Sequence, residues 1–416
     1  MKHPACACGA GAGAGRVRAA KPKEAIRKST MNNSEDNASS TSGHSSQIPD
    51  WGRPLRVAVL YNIKENAPAA DGRLPKDALA ELDTMRNVED YVAALRALDH
   101  EVIAFEGGAD LAYRLAEHPV DICFNTCEGF RGDSREAQAP AILEMLGVPY
   151  SASKVLALAL TLDKAMTKRV LAYHGLPTPR FQEFRSADEP LDPRLLACLK
   201  AGSPLFAKPN REGTAIGIYG DSVLHTEAAL REKVAYLLAA YHETVLVEAY
   251  VEGRDLTCGL VGNLCPDGRT DDLHLFPISE VDYSRYEPGT EHFYSHRLKV
   301  DLADDYHYLC PAPVPEPIAA EVRRLTVETF RACGCLDVAR VDFRLDAHHA
   351  LQPMILEINA LPGLTAISDL TLCARAEGWT HCQLLQAVFN AALDRYNLPR
   401  SKRGVPNPNY LAAPVP

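Results

Sequence analysis

Apolar runs and helical periodicities alternate along the chain from residue 54 onward. After Pro54 the apolar run 55–61 of PLRVAVLYN leads into a polar loop with Pro68 and Gly72, as expected of a buried first strand. Leu82, Val88, Val92, Leu95 and Leu98 then recur at helical spacing and stop near His100, ahead of a second strand in HEVIAFEG. VDICFN, the helix EAQAPAILEMLG and the strand-like VPYSA extend the series. Strand, helix, strand in this order predicts a parallel α/β unit.

From residue 163 the helix DKAMTKRVLAYHG should end at Gly175, with LPTP beyond it as a stop. The strand PLFAKP, the loop NREGTA, the strand IGIYG, a helix over about 226–240 and the strand TVLVEAYV follow. Strands are then expected in DLTCGLVGN, LHLFPISEVDY, LDVARVDFRLD and PMILEINA, with helices over 316–333 and about 379–394. These breaks suggest an α/β domain over 54–150, a central domain over 151–245 and a C-terminal domain over 246–398, without an internal repeat. Residues 1–53, with ACACGAGAGAG, a basic patch and the tract STMNNSEDNASSTSGHSSQ, read as a disordered low-complexity tail, because such composition cannot bury enough apolar area to offset chain entropy. Their acid-poor, arginine-containing start has some character of a transit peptide, and Met31 is an alternative start. Residues 399–416 read as a second tail.

Composition narrows the function classes. Hydrophobic content of 46% and charged content of 24% are ordinary for a globular protein, and no apolar run approaches the ~18 residues of a membrane span. A net charge of -10 argues against nucleic acid as a partner. The twelve cysteines lack paired metal-ligand spacing and read as buried thiols of a cytoplasmic protein. Cys333 and Cys335 could bind a metal only with distant partners.

Two strands carry unexpected polarity. In MILEINALPGLT, residues 354–365, alternation places Glu357 and Asn359 on one face and Met354, Leu356 and Ile358 on the other, before a break at Pro362-Gly363. In VARVDFRLD, Arg340, Asp342 and Arg344 share a face opposite Ala339, Val341, Phe343 and Leu345. Pairing of these strands would bring together two carboxylates, an amide oxygen and a guanidinium. That oxygen set suits Mg²⁺, which binds through one or two carboxylates plus substrate phosphates; solvated charges on half-exposed strands are the plain alternative. Lys208 ends an apolar strand before a loop whose Gly213 and Gly217 permit close backbone approach, so the loop can cradle phosphates or be a simple turn. Glu248 and Asp255 in VLVEAYVEGRDL could present carboxylates to an adenine and its ribose.

Together and in order, DKAMTKRVLAYHGLPTP, KPNREGTAIG, VEAYVEGRDL, ARVDF and LEINALPGLTAIS resemble the D-alanine:D-alanine ligase branch of the ATP-grasp superfamily, over about 54–395. The resemblance implies an α/β chain with an ATP-grasp fold preceded by a Rossmann-like N-terminal (pre-ATP-grasp) domain. It implies that Lys164 and Lys208 contact ATP phosphates, that Glu248 and Val251 line the adenine pocket, and that Asp255 holds the ribose where the family has glutamate. Asp342, Glu357 and Asn359 would bind two Mg²⁺, with Mn²⁺ as an alternative ion. Arg340 and the N–H of Gly363 would stabilise an oxyanion, glycine letting the main chain approach a reacting centre. Ser368 would receive the second substrate's carboxylate.

The departures from the family pattern gather at substrate recognition. FNTCEGFRGDSR replaces the family's histidine-containing segment, leaving Glu128, Arg131 and Arg135 as substrate contacts or surface charges. Glu81 or Asp83 stands for the glutamate that holds the first substrate's ammonium. Thr214 and Ala215 replace two serines of the nucleotide loop, and Lys299 is kept beside Val300, where the family has tyrosine. Asp369 either faces the second substrate's side chain or caps the helix that starts near Leu370. The expected activity is an ATP- and Mg²⁺-dependent carboxylate–amine ligase acting through an acyl phosphate, with D-alanine:D-alanine ligation as the leading case. Ligation of other amino acids or of a natural-product amide, and a nucleotide-binding regulator with a dead site, are the alternatives. The expected partners are an amino-acid or small carboxylate substrate and an amine substrate, and a homodimer is left open.

Overall fold

The computed structural model describes residues 54–67, 75–286, 291–298 and 307–400. The tail expected over 1–53, all but the first two residues of that expected over 399–416, and Lys299 lie outside the described residues.

The first region contains β1 (Arg56–Tyr61), α1 (Met85–Ala97), β2 (Glu101–Glu106), α2 (Leu111–Glu117), β3 (Ile122–Asn125) and α3 (Gln138–Leu146). Its sheet is parallel, in the order β2-β1-β3. Val57 to Leu60 are fully buried, which is why β1 reads as one apolar run rather than an alternation. Leu82 is not part of α1: it is buried in the preceding turn, and the helix starts at Thr84, whose hydroxyl accepts from Asn87 N–H. VPYSA makes only an isolated bridge between Tyr150 and Cys123.

The second region contains α4 (Val155–Leu162), α5 (Lys164–Tyr173), β4 (Phe181–Phe184), α6 (Pro193–Lys200), β5 (Leu205–Pro209), β6 (Val223–Leu224), α7 (Glu227–Tyr241) and β7 (Val245–Ala249). Its sheet is antiparallel in the order β4-β7-β5-β6, and Phe184, Leu195, Leu205, Leu230, Val234 and Val247 form a core of its own. Asp163 caps α5 by accepting from Met166 N–H at 2.9 Å, and Gly175 at φ 67° follows its end as expected. The strand expected in IGIYG is absent. Its backbone donors are taken outside any ladder, Gly217 N–H by the sequence-distant Asp77 carboxylate at 2.8 Å and Ile218 N–H by Ala215 O at 3.1 Å, so the segment turns instead of pairing.

The third region contains β8 (Gly253–Gly262), β9 (Leu273–Leu275), β10 (Ser279–Val281), β11 (Tyr308–Leu309), α8 (Glu316–Cys333), β12 (Val338–Asp346), β13 (Gln352–Asn359), α9 (Asp369–Ala376) and α10 (His381–Arg395). The sheet order is β11-β10-β8-β12-β13, with β9 also paired to β8. One apolar core joins this region to the first: Leu95 of α1 and Phe124 of β3 share it with Phe389 of α10, Val322 of α8 and Val341 of β12. Cys333 and Cys335 are buried in it, and burial pushes the Cys333 thiol up to about 12. No helix among the described residues is long and apolar enough to cross a membrane.

Candidate active site

The antiparallel ladder between β12 and β13 sets Arg340 opposite Asn359 and Asp342 opposite Glu357. At the next step the register slips, because Phe343 faces Ile355 and Leu356 is the extra residue of a β-bulge. This corrects the simple alternation expected for 354–359. Ile355 and Ile358 enter the core, while Leu356 and Glu357 both line one cleft. On β12 the expected faces hold: Arg340, Asp342 and Arg344 line the cleft, and Ala339, Val341 and Leu345 belong to the core.

The charges on this face are tightly paired. Arg340 donates to both oxygens of Asp342, at 3.1 and 2.9 Å, and through Nη1 to Asp369 Oδ2 at 3.0 Å. Burial opposes its charge, but Asp342 and Asp369 outweigh that and hold its pKa above the usual range. Asp342 also accepts from Thr257 Oγ1 at 2.8 Å, and burial, reinforced by Glu357, pushes its carboxyl up against the opposing pull of Arg340. Two facing carboxylates next to an amide oxygen are a donor set of hard oxygens that fits Mg²⁺. Lys164, at the start of α5, lies 3.4 Å from Glu357 Oε2 and donates to Glu212 O at 2.6 Å, tying β13 to the 210–217 loop.

Glu248 on β7 sits between two buried lysines, Lys168 at 2.9 Å and Lys208 at 3.1 Å. Burial alone would raise its carboxyl, yet the lysines hold it below its ordinary value. Lys208 and Glu248 line the cleft and the buried Lys168, whose pKa burial lowers, backs them, so that Lys208 can offer phosphate a point charge. Thr214 and Ala215 line the same cleft in left-handed backbone, φ 49° and 56°, a conformation costing roughly 1–2 kcal/mol per non-glycine residue. Asp77 holds the loop in that shape, taking Tyr219 and Tyr241 hydroxyls as well as Gly217 N–H. Asp255 accepts from Arg344 at 2.9 and 2.8 Å and from the Tyr283 hydroxyl, while Arg344 also reaches the Val251 carbonyl and Tyr250. Arg344 thereby fixes the whole 250–255 hinge.

Beyond Lys164 and Glu212, outside the cleft lining, Arg135 joins Glu81 at 2.7 Å and Glu212 at 3.0 Å. The carboxylates of Glu81, Glu128 and Glu136 lie within 4.8 Å of one another. Burial, with Glu81 adding to it, pushes Glu136 up to about 8 and Glu128 well above its usual range. Shared protons and the Arg135 guanidinium therefore relieve this crowding. A Cβ on Gly213 would stand 2.0 Å from Glu81 Oε1, so glycine is what lets the loop close on this cluster.

A family model described as "D-ala D-ala ligase C-terminus" matches residues 170–390. A D-alanine--D-alanine ligase from Desulforudis audaxviator is 31% identical over 320 residues, 75% of this chain and 94% of the relative. The chain belongs to the D-alanine--D-alanine ligase family. A D-alanine--D-alanine ligase from Cupriavidus metallidurans is 35% identical over 72% of this chain and 84% of its own, and an uncharacterised protein, y4sG, from Sinorhizobium fredii is 33% identical over 75% and 88%. The crystal structure of a Bacillus anthracis D-alanine--D-alanine ligase complexed with ATP has the same fold, with TM-score 0.60 and 22% identity over 82% of this chain and 98% of that one.

In this ligase-family chain Lys208, Thr214, Glu248, Val251, Asp255, Arg340, Asp342, Glu357 and Asp369 line one cleft. Lys164 joins them through Glu357, and Asn359 through its place opposite Arg340. Gly363 and Ser368 adjoin in the turn after β13, where a Cβ on Gly363 would lie 3.2 Å from Ser368 Oγ. Glu81, Glu128 and Arg135 gather beyond Lys164 and Glu212 and are not surface charges; Arg135 also lines a neighbouring cavity together with Arg131, which is exposed. The capping reading of Asp369 is overturned: Ser368 occupies the N-cap, and the Asp369 side chain turns to Arg340 and Tyr308. Lys168 and Glu136 carry structure at the site that the sequence reading missed, and Arg344, expected on this face of β12, was given no role there. For Lys168 a signal existed, since it follows Lys164 by four residues and shares its helix face.

Proposed function

We propose that the protein is an ATP- and Mg²⁺-dependent carboxylate–amine ligase that forms a dipeptide or related amide through an acyl phosphate, as the names of its D-alanine--D-alanine ligase relatives suggest. The observation that carries this reading is the opposition, in one cleft, of Lys208 and Glu248, backed by the buried Lys168, to the Arg340, Asp342 and Glu357 face.

ATP would lie with its adenine against Glu248 and Val251, its ribose near Asp255 and its phosphates along Lys208, Lys164 and the Thr214 loop. Asp342, Glu357 and Asn359 would hold Mg²⁺, or Mn²⁺ with the same oxygens, and the ion when bound neutralises phosphate charge. The first substrate's ammonium would meet the acidic cluster of Glu81, Glu128 and Glu136 with Arg135, and its carboxylate oxygen attacks the γ-phosphorus as the bond to ADP breaks. The amine then attacks the acyl carbon and phosphate leaves. Arg340 and Gly363 N–H would stabilise the oxyanion, and Ser368 would receive the second carboxylate. Positioning and charge neutralisation supply the catalysis, with no protein nucleophile. The buried free thiols are consistent with work in the reducing cytoplasm.

The test is ADP and phosphate release from the full chain with ATP and Mg²⁺ across a panel of D- and L-amino acids, with mass analysis of the product. Amino-acid-dependent release with a dipeptide mass is expected. ATP binding without phosphate release on any substrate would make the protein a nucleotide-binding regulator instead.

A further inference from the structure

Asp369 opens α9 with its carboxylate inside the cleft, yet the steps above give it no task. Its Oδ2 accepts from Arg340 Nη1 at 3.0 Å and its Oδ1 from the Tyr308 hydroxyl at 2.9 Å; Tyr308 in turn meets the Tyr294 hydroxyl at 2.6 Å. The groups facing it are Arg340 and Asp342 from β12, Glu357 from β13, Tyr308 from β11, Tyr294 from the segment 291–298 and Cys373 one turn along α9. A carboxylate has about four acceptor positions, so the contacts with Arg340 and Tyr308 leave room for another donor.

We propose that Asp369 receives the amine substrate, binding its ammonium beside Arg340 and taking one proton from it before attack. This rests on the ligase reading. If Arg340 binds the carbonyl oxygen of the acyl phosphate, the attacked carbon is one bond away, and a nucleophile poised to react stands about 3–3.5 Å from that carbon. A carboxylate touching the same guanidinium therefore lies beside the arriving nitrogen. A pocket for the acceptor's side chain would lie farther from Arg340. At neutral pH the amine of an amino acid is mostly ammonium, without a lone pair to attack, so the reaction needs a proton acceptor at this place. The N–H proton passes to Asp369 and the nitrogen lone pair forms the C–N bond. The C–O bond to phosphate breaks with its electron pair leaving on phosphate, and the second N–H proton follows that phosphate. Asp369 then returns its proton to solvent through the Tyr308 and Tyr294 hydroxyls.

The experiment compares the full chain with Asp369→Asn, which keeps an acceptor for Arg340, using two nucleophiles. One is the amino-acid acceptor found in the panel. The other is hydroxylamine, which is unprotonated at neutral pH and captures an acyl phosphate as the hydroxamate. Asp369→Asn should lower kcat with the amino acid by about 100-fold or more, leave hydroxamate formation at the level of the unaltered protein, and Asp369→Glu should restore part of the amino-acid rate. Equal loss with both nucleophiles would overturn the proposal and make Asp369 a positioning residue for Arg340. An unchanged amino-acid rate would overturn it as well. Absence of hydroxamate from the unaltered protein would remove the acyl phosphate, and the ligase reading and this proposal would fall together.

Discussion

Two parts of the site region are built differently. At the part proposed for nucleotide and metal, Asp342 and Glu357 stand on adjacent strands whose ladder register sets them face to face, and Glu248 stands on a strand beside Lys208 on the next. At the part proposed for the first substrate, Glu81, Glu128 and Arg135 come from loops and turns on opposite sides of α1, β2 and β3, and only packing brings them together. A strand imposes a period and a partner, so its charges can be placed from the sequence. A loop imposes neither, and its charges acquire meaning only when the chain closes.

The largest effect that would sharpen this contrast belongs to Glu357→Gln. Phosphate release should fall by several kcal/mol of transition-state stabilisation, on the order of 10²-fold or more, with the thermal unfolding temperature nearly unchanged because Glu357 faces the cleft. Near-normal turnover by the folded variant would break the metal assignment. Its neighbour Ile358, 1% exposed, should behave oppositely. Ile358→Asp places a charge in the core at a cost of several kcal/mol, and soluble yield should collapse before any assay of activity.

Lys168→Met sharpens the nucleotide end on a smaller scale. It removes one of the two cations that hold Glu248, and KM for ATP should rise about tenfold, the equivalent of ~1.4 kcal/mol, with a smaller change in kcat. An unchanged KM would leave Lys168 a purely structural partner of Thr178, to whose Oγ1 it donates at 2.8 Å.

The smallest effect tests the acidic end through pH. Burial raises Glu136 from its ordinary 4.5 to about 8, so between these values the folded protein holds a proton that the unfolded chain has lost. Stability contributed there is present at low pH and lost as pH rises through about 8. Glu136→Gln should therefore flatten the decline in unfolding temperature between these limits and be the more stable form at the alkaline side, by on the order of 1 kcal/mol. A variant with an unaltered pH slope would show that the cluster is more hydrated than its burial implies.

Much of the nucleotide end was legible because regular elements carried it. Arg340 and Asp342 were placed on one face by alternation alone, and helix α8 was bounded at 316–333 by its periodicity and the flanking Pro315 and Gly334. Alternation failed where the backbone left the pattern. The bulge at Leu356 moved that side chain from the expected core face to the cleft, and the Asp77 carboxylate, more than a hundred residues away in sequence, kept IGIYG from becoming a strand. The choice between cap and cleft for Asp369 was open in sequence because aspartate suits both; Arg340 and Tyr308 decided it by offering two donors inside the cleft.

By itself the sequence determined the α/β class, the family, and the oxygen-bearing face of β12, since each follows from local periodicity or from motifs in a fixed order. Only the tertiary structure decided that Lys168 and Lys208 share Glu248, that Arg135 joins Glu81 and Glu212 from two separate turns, and that Asp369 faces Arg340. The reason is physical: a buried charge takes whichever partner the closed chain brings within about 3 Å, and that partner can lie anywhere along the sequence.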